Sequence, residues 1–156
     1  MEDVNEIFES FAECFVGNLS NDEEIAHSAI LKRDALDYSV ESLKAVDAYL
    51  DYLHEHRPDE LGPEWISSVL WGGAYVGEVI RRNAKHAYDW IDFDEFIHEH
   101  PSTTQILGDE KQLGFCALLT SGDTDFTLPI NKILKYIFEG SADSVHFFVA
   151  CELHSD

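Results

Sequence analysis

The sequence predicts an α+β fold in a single domain, with N-terminal helices packed on a small, mainly antiparallel sheet and further helices near the C-terminus. Three observations predict it. Up to Arg82 the apolar side chains recur at helical spacing, and only after Arg82 do aromatic and continuous apolar runs of strand length appear. Helices first and strands later argue for α+β rather than a βαβ array. A chain of 156 residues with 45% hydrophobic and 12% aromatic residues suits one globule around one core, residues 1–156 together.

The elements follow in order. Val4, Ile7, Phe8, Phe11 and Phe15 repeat at helical spacing, so residues 3–16 read as an amphipathic helix, ended by the loop "GNLSNDEE". "ALDY", residues 35–38, reads as a short extended piece. Ser39 can cap a second helix whose apolar stripe is Leu43, Val46, Leu50 and Leu53. Gly62-Pro63 opens a third helix, with proline in the first turn, running to about Arg82. "HAYDWI" is aromatic and strand-like, and "QLGFCALLT" is a nearly continuous apolar run of strand length, followed by the turn "SGDTD". Pro129 starts another helix, with Ile130, Ile133, Leu134 and Ile137 on one face and Gly140 as its stop. "DSVHFFVACELH" fits either a buried strand or a final helix; its length, Asp143 and Ser144 as cap signals and the spacing of Val145, Phe148 and Val149 favour helix.

Two features raise functional questions. "LHEHRP" at 53–58 and "IHEHP" at 97–101 each hold a His-x-His pair. On a strand such a pair puts both rings on one face and suits zinc; on a helix the rings point roughly 200° apart. The first pair ends the helix of Leu50 and Leu53. Before the second, Asp92 is followed three residues later by Glu95, a capping-box pattern, and Phe93, Phe96 and Ile97 continue at helical spacing over about 93–99. A proline follows both pairs, and histidine near a helix C-terminus is favoured by the macrodipole. Both pairs therefore read as helix stops, the competing reading being a metal site of His98 and His100 with Asp89 or Asp92. No metal and no cofactor is expected: HExxH, CxxC, EF-hand, P-loop and Rossmann patterns are all missing from the sequence. The second feature is Gly72, Gly73 and Gly77 inside the third helix. Each costs about 1 kcal/mol relative to alanine, so something offsets them. Either the helix packs tightly on the sheet or the first helix, or the glycines form a flat docking surface flanked by Trp71 and Tyr75. Glu78 is placed to pair with Arg82 one turn on.

Charge carries most of the functional information. Ten Lys and Arg face thirty-one Asp and Glu, a net charge of −21. That disfavours nucleic acid and anionic membranes, which require a basic footprint, and favours steered association with a basic protein. No apolar stretch approaches the ~18 residues of a membrane span. The acidic N-terminus lacks a signal peptide's basic and apolar regions, so a cytoplasmic location is expected. Cys14, Cys116 and Cys151 read as reduced core residues. Neither residues 1–31 nor residues 86–110 contain a Lys or Arg. The second window holds Tyr88, Asp89, Trp90, Asp92, Asp94, Glu95 and Glu99, a candidate partner-binding face of aromatic anchors within a charged rim. The plainer alternative is solvated carboxylates with both aromatics facing the core.

"LDYSVESLKAVDAYL", "GGAYVGEVIRR", the aromatic strand with Trp90 and "LPINKILKYIFEGSADSV" together resemble a loosely defined group of small bacterial cytosolic proteins, a domain-of-unknown-function family, over about residues 35–148. The most specific piece is the Gly-Ala-Tyr-x-Gly-Glu-Val helix. The group carries no catalytic residues to transfer. Small acidic proteins of this kind are similar to immunity proteins that neutralise a cognate toxin. The resemblance implies a non-enzymatic inhibitor that covers a basic surface or active site. A small cytosolic enzyme or a regulatory protein is the alternative.

Overall fold

A computed structural model describes residues 3–19, 24–122 and 125–155. Its centre is a 21-residue helix, α3 (Pro63–Asn83), in which every residue from Trp71 to Ile80 is buried. Against it pack α1 (Val4–Val16) and, further along the chain, α6 (Pro129–Glu139) and α7 (Val145–Ser155); α2 (Leu43–Glu55) lies against α6 and α7. Strands β1 (Asp89–Asp92), β2 (Ala117–Ser121) and β3 (Asp125–Thr127) form an antiparallel sheet in that order, with Trp90 opposite Leu119 and Thr120 opposite Phe126. Between β1 and β2 come α4 (Phe93–Glu99) and the single turn α5 (Thr104–Leu107).

The sheet is covered on both faces. Ala117 and Leu119 of β2 join Trp90 in the main core, whereas Leu118 points the other way, into a smaller cluster with Phe93 and Phe96 of α4. A strand covered on both sides has no polar face to alternate, which is why this stretch reads as a continuous apolar run. The strand is shorter than that run. Leu113–Phe115 form a 3-10 turn, and extended pairing begins only at Ala117.

Helix ends obey local chemistry. Gly17 ends α1 in the left-handed region (φ 97°), its N–H donating to the carbonyls of Glu13 and Cys14. Asp92 caps α4, its carboxylate accepting from the Asp94 N–H at 3.0 Å. Ser39 Oγ accepts the Ser42 N–H at 3.1 Å, in the turn that leads into α2. The cap of α7 comes from another helix. Asp47 of α2 accepts from the Ser144 hydroxyl at 2.7 Å and the Val145 N–H at 2.8 Å, while Ser144 Oγ accepts from Phe147 N–H. The last segment is thus the helix that Ser144 and the Val145, Phe148 and Val149 spacing indicate.

Two expectations need correction. "ALDY" is not extended: Arg33–Ala35 form a 3-10 turn and Tyr38 is left-handed (φ 65°). Tertiary contacts hold Tyr38 in that costly conformation. Its N–H donates to the Tyr75 hydroxyl at 2.9 Å, its hydroxyl donates to Glu13 at 2.7 Å, and the Arg82 guanidinium lies 3.5 Å over its ring. Of the three cysteines, Cys14 is buried and Cys116 half-buried, but Cys151 is exposed on α7 and is not a core residue. No helix among the described residues is long and apolar enough to cross a membrane.

Candidate protein-binding face

The site begins with Asn5. It sits on the first turn of α1 and reaches β1 with both ends of its amide. Its Nδ2 donates to Asp89 Oδ1 at 3.0 Å, and its Oδ1 accepts the Trp90 N–H at 2.8 Å. This side chain helps join the two segments of the sequence that lack Lys and Arg. Asp3, the N-cap of α1, and Glu6 and Glu9 within it are exposed, and Glu9 lines the same concavity as the exposed Asp89 of β1. The chain then runs directly into α4, where Asp94, Glu95 and Glu99 are exposed. The α1 carboxylates were not among the expected site residues. The signal for them was the absence of any cation in residues 1–31.

The aromatic half of the expected face is corrected. Tyr88 and Trp90 are 6% and 4% exposed and do not present anchors on the surface of this chain. The Trp90 ring stacks on Phe8 at 4.4 Å and its Nε1–H donates to Glu78 at 3.0 Å, while the Tyr88 hydroxyl donates to Glu152 at 2.7 Å. Gly77 makes room for Trp90, since a Cβ there would overlap the Cζ2 edge of the indole ring. Gly73 does the same for α6, where a Cβ would stand 2.6 Å from the Cα of Ile130. The glycines thus serve close packing against both sheet and helix. The docking-surface reading fails because Trp71 and Tyr75, its expected flanks, are 4% and 0% exposed.

Glu78 is also corrected. It does not make a surface bridge to Arg82; it is 2% exposed and accepts from Arg81 Nη1 at 2.9 Å as well as from Trp90. Arg82 is occupied by Tyr38 instead. Arg81 is the hub, bonding Glu78, Glu9 at 3.0 Å and the Tyr88 carbonyl at 3.0 Å. Burial alone would lower the guanidinium's pKa, but the bonds and charges of Glu78 and Glu9 outweigh it and hold the group above its ordinary value. Around this hub opens a cleft of about 520 Å³, lined by Glu9, Glu78, Arg81, Arg82, Tyr88 and Asp89. Within it Arg81 pairs with both Glu9 and Glu78.

Two of the expected carboxylates are partly neutralised. Lys111 lies 2.6 Å from Asp92 and 3.7 Å from Asp94. The Asp92 hydrogen bond, helped by the charges of Asp92 and Asp94, raises the lysine's pKa against the opposing effect of burial. Such half-exposed pairs contribute about 0–1 kcal/mol. Glu6, Asp89, Glu95 and Glu99 are exposed.

The two His-x-His pairs end helices. α2 stops at Glu55 and α4 at Glu99, with His56 and His100 as C-caps. His54 Nδ1 donates to the Ile137 carbonyl at 2.8 Å, and His56 Nδ1 to the Tyr52 carbonyl at 2.8 Å. His100 packs its ring on Phe96 at 4.7 Å. Among the described residues no three His, Cys, Asp or Glu side chains converge in a metal-binding arrangement. No family model, curated protein or solved structure matches this chain.

Proposed function

We propose that the chain is an acidic protein-binding module, an immunity or inhibitor protein of the kind its sequence resembles. It acts in the cytoplasm by covering the basic surface or active site of a cognate toxin. The observation that carries the reading is the junction of the two cation-free segments at Asn5. Eight carboxylates, Glu6, Glu9, Glu13, Asp89, Asp92, Asp94, Glu95 and Glu99, thereby lie along α1, β1 and α4, elements without a Lys or Arg, in a chain whose net charge is −21. Acidic surface of this extent attracts a basic partner over distances comparable with the ~8–10 Å Debye length at moderate salt and accelerates encounter.

With Tyr88 and Trp90 buried, the binding energy rests on the carboxylates and on what surrounds them, not on those two rings. Glu95, Glu99, Glu6 and Asp89 form the first contact set, while Asp92 and Asp94 have the added tasks of capping α4 and pairing with Lys111. The test is co-expression with the product of the adjacent reading frame. The proposal expects that product to be toxic alone, harmless with this chain, and retained by it in a stoichiometric complex. An adjacent product that neither harms the cell nor binds in purified form contradicts it.

A further inference from the structure

Lys111 is the only Lys or Arg between Lys85 and Lys132, a stretch that holds α4 and the whole sheet. It lies outside helix and strand, in the connection between α5 and the 3-10 turn Leu113–Phe115. Its ammonium reaches back to the head of α4, 2.6 Å from Asp92 Oδ1 and 3.7 Å from Asp94 Oδ2. The two oxygens of Asp92 have separate tasks. Oδ2 accepts the Asp94 N–H at 3.0 Å and caps α4, while Oδ1 takes Lys111. The cation on Oδ1 can therefore be exchanged without uncapping the helix. The pair is also open to exchange, since the Lys111, Asp92 and Asp94 side chains are 40%, 38% and 74% exposed.

An exposed ion pair adds little to stability, because ordering a long side chain offsets a Coulomb attraction that water screens. Lys111 thus leaves its carboxylates at small cost to the fold. While it stays, it opposes a basic partner twice over. It repels the partner's cations during encounter, and it holds two carboxylates that those cations would otherwise pair with. We propose that Lys111 is an autoinhibitory contact on the acidic face. In the free chain it occupies Asp92 and Asp94, and docking displaces it, a lysine or arginine of the basic partner taking its place. The inference rests on the protein-binding function proposed above and adds a brake to it: the face associates more slowly, and holds its partner less tightly, than its carboxylates allow.

Stopped-flow association and equilibrium titration of the full chain with the purified product of the adjacent reading frame, at low salt, test it. Lys111→Met and Lys111→Gln, with helix content unchanged, are each expected to associate at least about threefold faster and to bind at least about threefold more tightly. Lys111→Arg keeps the cation and should behave as wild type. Lys44→Met is the control for net charge, since Lys44 is exposed on α2 and pairs with Glu41. It should change the rate much less. Asp94→Asn should slow association more in the Lys111→Met background than in wild type, because the carboxylate is then unmasked. Equal gains from Lys111→Met and Lys44→Met make the effect one of net charge and overturn the inference. Lys111→Met and Lys111→Gln that associate no faster, or bind more weakly, overturn it too. Wild type and variants that all fail to bind contradict the proposed function, and the brake falls with it.

Discussion

Replacing the three glycines of α3 by alanine, one at a time, separates helix propensity from packing. Propensity alone treats the three variants alike: each gains about 1 kcal/mol. The surroundings do not. A Cβ on Gly72 would lie 3.5 Å from the Phe15 ring and 3.6 Å from Ile133, ordinary contact distances, so Gly72→Ala keeps its gain. On Gly73 the Cβ would stand 2.6 Å from Ile130 Cα and 2.7 Å from its Cγ1, about 1 Å inside the ~3.5 Å contact distance. Ile130 is fully buried in the first turn of α6, directly after Pro129, so relief requires moving a packed helix. Overpacking costs of about 1–3 kcal/mol then cancel or exceed the propensity gain, and Gly73→Ala is expected to lose about 0–2 kcal/mol net. Gly77→Ala drives the Trp90 ring from its site, giving up the Glu78 hydrogen bond and the Phe8 stack, and is expected to lose at least about 2 kcal/mol. Urea denaturation, read at unchanged m, measures all three. Three variants stabilised equally would show that α3 does not approach α6 and the sheet this closely, and would refute the packing account of the glycines. Leucine at Gly73 or Gly77 should be worse than alanine at either.

Three further outcomes follow from individual contacts. Asp47→Ala removes the acceptor for Ser144 and Val145 at the start of α7 and should lower stability by about 1–2 kcal/mol in chemical denaturation, with Asp47→Asn recovering part of it. Glu78→Gln keeps an acceptor for Trp90 and should cost less than Glu78→Leu, which leaves a buried indole N–H unpaired and removes one partner of Arg81; equal losses would contradict the hydrogen-bonded role. Burial raises the pKa of Tyr38, Tyr49, Tyr75 and Tyr136, and the Tyr38 and Tyr136 hydroxyls are raised further by donating to Glu13 and Asp51. Because the folded values exceed the unfolded one, the contribution is complete below pH about 10 and is lost as pH climbs above it. Phenolate absorbance and loss of ellipticity should therefore rise together in an alkaline titration; full ionisation near pH 10 with the fold intact would contradict this.

Local signals made much of the fold legible. Apolar spacing placed α1 and α2, proline placed the starts of α3 and α6, and Asp92 with the following phenylalanines placed α4. The histidine pairs were read correctly as helix ends because a proline follows each. What escaped was set by partners distant in sequence. Tyr38 is turned by Tyr75, Glu13 and Arg82, none of them neighbours in the chain. Asp47 caps a helix that begins far downstream. Trp90, standing among carboxylates, looked like a surface anchor; in the structure it is the ring that packs at Gly77. The acidic segment at 86–110 was visible from charge alone. Its joining to α1 was not, because it is made by contacts distant in sequence, the Asn5 amide on Asp89 and Trp90 and the Phe8 ring on Trp90.

The most direct test of the acidic face is the association rate constant of this chain with the purified product of the adjacent reading frame, measured by stopped flow against ionic strength. The comparison is between wild type and a Glu6→Lys, Glu95→Lys, Glu99→Lys variant, which spares the cap at Asp92 and its pairing with Lys111. The account predicts a rate that falls steeply with salt for wild type, and a variant that folds normally but associates at least about tenfold more slowly at low salt. A complex that forms at the same rate in both proteins and at every salt concentration would contradict it.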